Sequence, residues 1–450
     1  MKKFISILIF MVFFSANSMF AAGEKNKISN YKIEFFREKE GSANVLHVRC
    51  EFDINLNQND TDTVELKFGG QLGEDSVPDS NLTISSYPAV DYTYDYEQKK
   101  LTFRMKGEKH AHITMEYDFL SFSSAFIYRE ICEIWETSFS EYYYPFIFGE
   151  KALFDVTVTA PDNYYIVGSY PFSLEQHAGG MKTYHYKTTN PVVSHACIFA
   201  ILPDSRYRRI TTDNDQTIND IYLIDSIDVP AARMKELADM TTASVDFFSK
   251  HLSPYSNEYL GIENKITYIF HTNGFSNRNN VNFISVSQDK FAQKPHILPL
   301  VHEIGHRWFG EWTLLIGDGE FGAYFIKESL NEYLSFLFAK NYYGQDFFDG
   351  LIDSCQSAYG KIKGSDKDRS LYDMKYNNNN TIVYNKGSLI INEAVKKMGE
   401  EQWLLFMKDF YSKYAGKPDL KYENFIELLK QADETSAILL DDLIKGKINI

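Results

Sequence analysis

The stretch Leu298–Trp312, LPLVHEIGHRWFGEW, places two histidines four residues apart with a glutamate directly after the first. Pro299 suits the first turn of a helix, where its missing N–H is not needed, and Gly310 marks a stop, so a helix is predicted from about residue 298 to residue 310. Residues i and i+4 of a helix share one face, one turn apart, so the imidazoles of His302 and His306 can reach a single ion. Neutral imidazole suits zinc. A carboxylate at Glu303, close to the metal without pointing straight at it, can take the proton of a water that attacks a carbonyl. Two histidines on a half-buried helix can also simply hydrogen-bond within a core, so the flanks have to decide.

A catalytic zinc takes three protein ligands and keeps one position open. The pattern HExxHxxGxxH is excluded, because Phe309 stands where its glycine would be and Trp312 where its third histidine would be. That leaves a carboxylate from a following helix. GAYFIKESLNEYLSFLFAKNYYG, stopped at Gly344, reads as a helix and carries Glu328 and Glu332 one turn apart on one face. Glu320 lies ahead of this helix and is the weaker candidate. Acidic residues one turn apart on an exposed face are ordinarily just solvated; beside the histidine pair they become candidates for the third ligand.

Around this segment the chain divides into two kinds of pattern. From about residue 28 to residue 205, runs such as NVLHVRCEFDINL, TVELKFGG, KLTFRM, HITMEYDFL and HACIFAILP alternate or cluster β-branched and aromatic residues between Gly, Pro, Asn and Asp. Pro161, Asp162 and Asn163 separate two more strand-like runs. These predict an all-β domain, sandwich-like or saddle-shaped, over residues 28–205. From residue 206 to residue 450 the periodicity becomes mostly helical, with PAARMKELADMTTASVDFFSKHL, NKGSLIINEAVKKMG, EEQWLLFMKDFYSKYAG and YENFIELLKQADE as helices and ENKITYIF as a buried strand. The fold class expected is therefore α+β, an N-terminal β-domain followed by a mostly helical one. The polar YNNNNT near 376–381 reads as a loop.

The chain of 450 residues is long enough for two or three domains and sizeable cores. Its net charge of −15, spread along the sequence, gives no support to nucleic-acid binding. Lys2 and Lys3 precede the apolar FISILIFMVFF and the small residues of SANSMFAAG, which reads as a secretory signal over residues 1–22, with cleavage after Ser18, Ala21 or Ala22. Export to the periplasm, the cell surface or the medium is the expectation, with no stable transmembrane span in the mature chain. Cys50, Cys132, Cys197 and Cys355 form no CxxC pair and so make a poor metal site; disulfides and buried thiols both fit an exported chain. Nothing in the sequence speaks to oligomeric state.

VHEIGHRWFG followed by KESLNEYLS resembles the gluzincin metallopeptidase family that includes aminopeptidase N. That family has HExxHxWFG and then a helix reading roughly N/K-E-G-F/L-A-x-Y. The resemblance implies one Zn2+ per chain, a thermolysin-like catalytic domain over residues 206–450, Glu328 as the third ligand with His302 and His306, and Glu303 as general base. The spacer from His306 to Glu328 is three residues longer than the family's usual eighteen. Glu332 would then stand behind the ligands or be merely polar. VYNKGSLIINEAV resembles the family's Y-x-K-G segment, which maps its oxyanion-binding tyrosine onto Tyr384, and a phenol O–H aimed at developing negative charge fits that role. On its own, Tyr384 is one of 31 tyrosines and would be read as core. YYYPFIFGEKALFDVTVTAPDNYYIVGS resembles the family's β-domain strands, and the chain ends where the family's catalytic domain would, without its further helical domain.

The likeness breaks at one place. Aminopeptidases of this family carry G-x-M-E-N before HExxH, and its glutamate holds the substrate's free α-amino group. The matching HTNGFSNRNNVNFISVS has Gly274, Asn277, Arg278, Asn279 and Asn280 but no carboxylate. An amide offers an acceptor without opposite charge, and charge-assisted bonds are about twice as strong. The segment also reads simply as a polar loop before a strand. Hydrolysis inside peptides, an unusual N-terminus, or a charge supplied by Glu130, Glu133, Glu136 or Glu141 are the alternatives. The aromatic run Tyr142–Phe146 reads as packing between the sheet and the catalytic domain ahead of lining a cleft. The expected activity is zinc-dependent hydrolysis of a peptide or protein substrate. A peptide- or protein-binding module without catalysis is the rival, favoured by the missing carboxylate and opposed by Glu303 and Tyr384.

Overall fold

The computed structural model describes residues 27–450 apart from 38–44, 70–80, 121–126, 129–131, 136–141, 171, 194–196, 214–216, 256–264, 272–277, 281, 294–297, 311–312, 315, 318, 375–378 and 418–419. The signal segment at 1–22 lies outside these residues, as do Glu130, Glu136, Glu141 and Trp312.

The first half is β structure because its runs alternate. Strand Phe154–Pro161 turns Phe154, Val156, Val158 and Ala160 inward and leaves the residues between them half-exposed. It pairs in parallel with Ile28–Phe36, whose antiparallel register against Val45–Asn55 shifts between Ser29 and Lys32, around Asn30 with its φ of 58°. A seven-stranded sheet results, in the order 173–178, 181–187, 154–161, 28–36, 45–55, 110–120 and 83–87. Two four-stranded sheets share its core, which is rich in aromatic side chains. Tyr31 stacks on Phe154 with ring centroids 4.8 Å apart and donates its hydroxyl to Pro145 O at 2.7 Å. Tyr143 and Tyr144 of strand Tyr142–Phe146 are fully buried in this core, so the aromatic run packs inside the β-domain and not between the two domains.

A five-stranded mixed sheet links the halves, in the order Tyr207–Asp213, Ile218–Ile224, Lys265–His271, Phe283–Ser287, Arg278–Asn280. Alternation lets its two faces serve two cores. Tyr222, Ile224, Ile269 and Phe283 join the β core, while Ile221, Leu223, Tyr268, Phe270, Ile284 and Val286 join the helical one. The segment read as a polar loop thus contributes a short edge strand, Arg278–Asn280, antiparallel to Phe283–Ser285 and running beside the histidine helix.

The helical half comprises, among the described residues, α1 (Ala231–His251), α2 (Gln288–Gln293), α3 (Leu298–Gly305), α4 (Leu330–Tyr343), α5 (Gln345–Gly360), α6 (Gly387–Met398), α7 (Glu400–Tyr414), α8 (Tyr422–Ala432) and α9 (Glu434–Ile444). The helix of the histidine pair ends at Gly305, earlier than the expected Gly310. His306 N still bonds His302 O at 3.2 Å, but Arg307 N and Trp308 N reach back only three residues, so the last turn tightens. Trp308 then anchors this end on α1, stacking on Phe248 at 5.2 Å and donating Nε1–H to Ser253 O at 2.9 Å. The helix after it begins with a π-turn, Phe325–Ser329, that runs directly into α4; a second π-turn, Thr381–Lys386, runs into α6. No described helix is long and apolar enough to cross a membrane. Cys50, Cys197 and Cys355 are buried free thiols.

Candidate metal centre

α3 lies buried between α1 and α4, and apart from His302 and Glu303 its residues are apolar or glycine. Gly305 makes that burial feasible: a Cβ there would lie 2.0 Å from Asn331 Oδ1 and 2.8 Å from Phe248 Cζ. Asn331 uses the approach to donate Nδ2–H to His302 O at 2.8 Å, tying α4 to α3 at the first histidine. Helix α4 and its π-turn therefore come to lie against the histidine face.

At that contact three side chains converge. One ligand atom each from His302, His306 and Glu328 lies within 4.8 Å of the others. His302 Nε2 is 3.3 Å and His306 Nε2 3.6 Å from Glu328 Oε2. The opposite ring nitrogens are engaged elsewhere. His306 Nδ1 lies 3.0 Å from Phe309 O, and His302 Nδ1 approaches Glu332 Oε2 at 2.7 Å, out of line with the ring N–H direction. Both rings are thus turned so that Nε2 faces the shared space. Tyr384, on the second π-turn, donates its hydroxyl to Glu328 Oε2 at 3.1 Å and sets its ring edge-on to His302 at 5.6 Å. Glu303 is buried on α3, and its charge acts on Tyr384. Glu320 is exposed in the turn ahead of the π-turn and takes no part.

Burial and the neighbouring carboxylates act on these groups in opposite directions. Burial alone would lower the pKa of His302, yet Glu328 and Glu332 outweigh it and hold that pKa well above the ordinary value. His306 goes the other way, pushed down to about 4 by burial. Burial opposes the charge on Glu328, but His306, His302 and the Tyr384 hydroxyl bring its carboxyl down to about 2. Burial first and the nearby carboxylates next push the Tyr384 phenol far up, so it stays protonated as a donor. Two imidazole nitrogens and one carboxylate oxygen match the donor set that zinc takes in His2Glu sites.

Two contributors were not read from the sequence: Phe309, through its carbonyl, and Asn331. A glycine inside the HEIGH stretch was the available signal for Asn331, since glycine in a buried helix often marks a close approach. The segment 272–277 and the side chains of Arg278, Asn279 and Asn280 lie outside the described residues, as does the side chain of Glu133.

Residues 256–443 match the peptidase family M1 domain. No curated protein matches the chain. Among solved structures, an M1 zinc metallopeptidase from Deinococcus radiodurans superposes with a TM-score of 0.70 at 14% identity, covering 95% of this chain and 96% of that one. A mutant of that metallopeptidase bound to a Tyr-Ser-Ala substrate superposes with a TM-score of 0.71 at 14% identity, with the same coverage of 95% and 96%. A two-domain M1 zinc metallopeptidase mutant bound to L-tryptophan gives 0.70 at 14% identity, again over 95% and 96%. Residues 256–443 therefore belong to peptidase family M1, and the chain around them has the two-domain fold of the M1 zinc metallopeptidases.

Proposed function

We propose that the protein is a zinc-dependent peptidase in which His302, His306 and Glu328 hold one metal ion, Glu303 is the general base and Tyr384 binds the oxyanion. The observation that carries this reading is the convergence of the two Nε2 atoms and the Glu328 carboxylate, with the Tyr384 hydroxyl 3.1 Å from that carboxylate. When bound, zinc supplies Lewis acidity, which polarises the scissile carbonyl and makes water a nucleophile near neutral pH. Glu303 takes the proton of the attacking water and delivers it to the leaving amine. Tyr384 donates its phenol hydrogen to the oxygen that becomes negative. Phe309 O keeps the His306 imidazole turned toward the site, and the Glu332 carboxylate lies behind His302.

Peptides are the substrate class this reading assigns, supported by the tripeptide bound to the mutant Deinococcus metallopeptidase. The edge strand Arg278–Asn280 beside α3 has no strand partner on its outer side among the described residues, which suits pairing with an extended substrate. The segment around it, HTNGFSNRNNVNF, holds no carboxylate to take an ammonium group. We therefore assign cleavage that does not require a free N-terminus. The signal-like residues 1–22 support action outside the cytoplasm.

The test pairs the wild-type protein with Glu303→Gln on peptides carrying free or acetylated N-termini. Expected are zinc in both proteins, turnover only in the wild type, and comparable cleavage of both peptides. Strict dependence on the free amine would overturn the specificity alone. Zinc without turnover would favour a binding module on a peptidase scaffold.

A further inference from the structure

The third ligand of the proposed site and its oxyanion donor stand on two separate π-turns, Phe325–Ser329 and Thr381–Lys386. A π-turn adds a residue to the helical repeat and so resets which way the side chains around it point; such turns are often found at functional sites. Each turn here carries one functional side chain, and the two turns touch. Ser329, fully buried and next to Glu328, donates its hydroxyl to Val383 O at 2.6 Å, and Val383 is next to Tyr384. The contact leaves no slack. A Cβ on Gly387 would lie 2.3 Å from Ser329 Oγ and 2.7 Å from Ser329 Cβ, so the glycine that opens α6 is what lets the two backbones close on the hydroxyl. Ser329 occupies the position where the N/K-E-G pattern has glycine.

We propose that Ser329 is a positioning residue that sets the placement of the Tyr384 phenol relative to the Glu328 carboxylate by latching the two π-turns together. The proposal rests on the peptidase reading above. Tyr384 can only act if its hydroxyl reaches the oxygen on which charge develops, and a hydrogen bond between the carriers fixes that reach more tightly than packing alone. The second turn has another anchor on its far side, where Lys386 Nζ bonds Asp368 Oδ1 at 2.7 Å and Arg369 O at 2.9 Å. Removing the Ser329 hydroxyl therefore loosens the turn without releasing it.

The test measures steady-state peptide hydrolysis by wild type, Ser329→Ala, Tyr384→Phe and the double variant, with Glu303→Gln as the blank. Backbone hydrogen exchange over Thr381–Ser388 is followed in metal-free wild type and Ser329→Ala. Loss of one hydrogen bond predicts a fall in kcat of about five- to tenfold for Ser329→Ala, with KM little changed. In the Tyr384→Phe background the same change should cost less than about twofold, because the two residues act as one unit. Exchange over Thr381–Ser388 should quicken in Ser329→Ala. Equal losses in both backgrounds, or unchanged exchange, overturn the proposal and leave the peptidase reading standing. No wild-type turnover above the blank overturns the peptidase reading, and the catalytic role of Ser329 with it.

Discussion

The Tyr384 hydroxyl donates to Glu328 Oε2 at 3.1 Å, although the two residues are 56 positions apart and belong to different π-turns. The pair fixes the phenol at the edge of the site with its proton in place, since burial and the carboxylates keep it un-ionised. Tyr384→Phe removes the donor and little else. It should lower kcat by about 10²- to 10³-fold, with KM and metal content near wild type, in steady-state kinetics paired with metal analysis. A loss confined to KM would assign Tyr384 to substrate binding.

Glu332 lies behind His302, with Oε2 at 2.7 Å from Nδ1. A carboxylate in that place orients the ring and raises its basicity. Glu332→Ala should weaken zinc binding by about 10- to 100-fold in chelator competition while the fold persists. Unchanged affinity would reduce Glu332 to a polar neighbour.

Gly305 is the point where α3 and α4 touch. Gly305→Ala must displace Asn331 from His302 O, because the new methyl would stand 2.0 Å from Asn331 Oδ1. Overpacking of this kind costs about 1–3 kcal/mol, which chemical denaturation would read as a lower midpoint. A midpoint at the wild-type value would mean that the helices separate at no cost.

The position of the histidine pair was legible because four-residue spacing is a local property of a helix, and Glu328 and Tyr384 were legible because each stands in a short recognisable string. The two π-turns were not. One added residue in GAYFIKESLNEYLSFLFAK leaves the apolar periodicity on either side intact, so the run reads as one α-helix. Helix α5 was also unread; QDFFDGLIDSCQSAYG mixes glycine and acidic residues, and the face holding Phe348, Ile352, Cys355 and Tyr359 is apparent only once the helix is known. The edge strand Arg278–Asn280 is built of polar residues and held by backbone bonds, which residue type does not announce. Phe309 O and Asn331 anchor the histidines through contacts that only the folded chain creates.

Lys386 and Asp368 form a buried ion pair that braces the turn carrying Tyr384, with side chains 8% and 10% exposed. Without Lys386 the carboxylate keeps only the Tyr359 hydroxyl and the Gly364 N–H, so Lys386→Met should destabilise the protein by about 1–3 kcal/mol in denaturant titration. Burial works against the charge on Asp368, but the Gly364 N–H, Lys386 and the Tyr359 hydroxyl outweigh it and hold its pKa below the ordinary value. The folded chain therefore binds fewer protons at this carboxyl than the unfolded one. Its contribution is full above about pH 4 and is lost as pH falls through the lower folded-state pKa. Asp368→Asn should flatten the acid limb of the stability profile; an unaltered limb would mean the pair carries no such linkage.

Zinc content after exhaustive dialysis tests the central claim most directly. The account predicts one zinc per chain in the wild type and in Glu303→Gln, and little or none in His306→Ala or Glu328→Ala. A wild type that retains no metal, or a His306→Ala protein that retains a full equivalent, would contradict it.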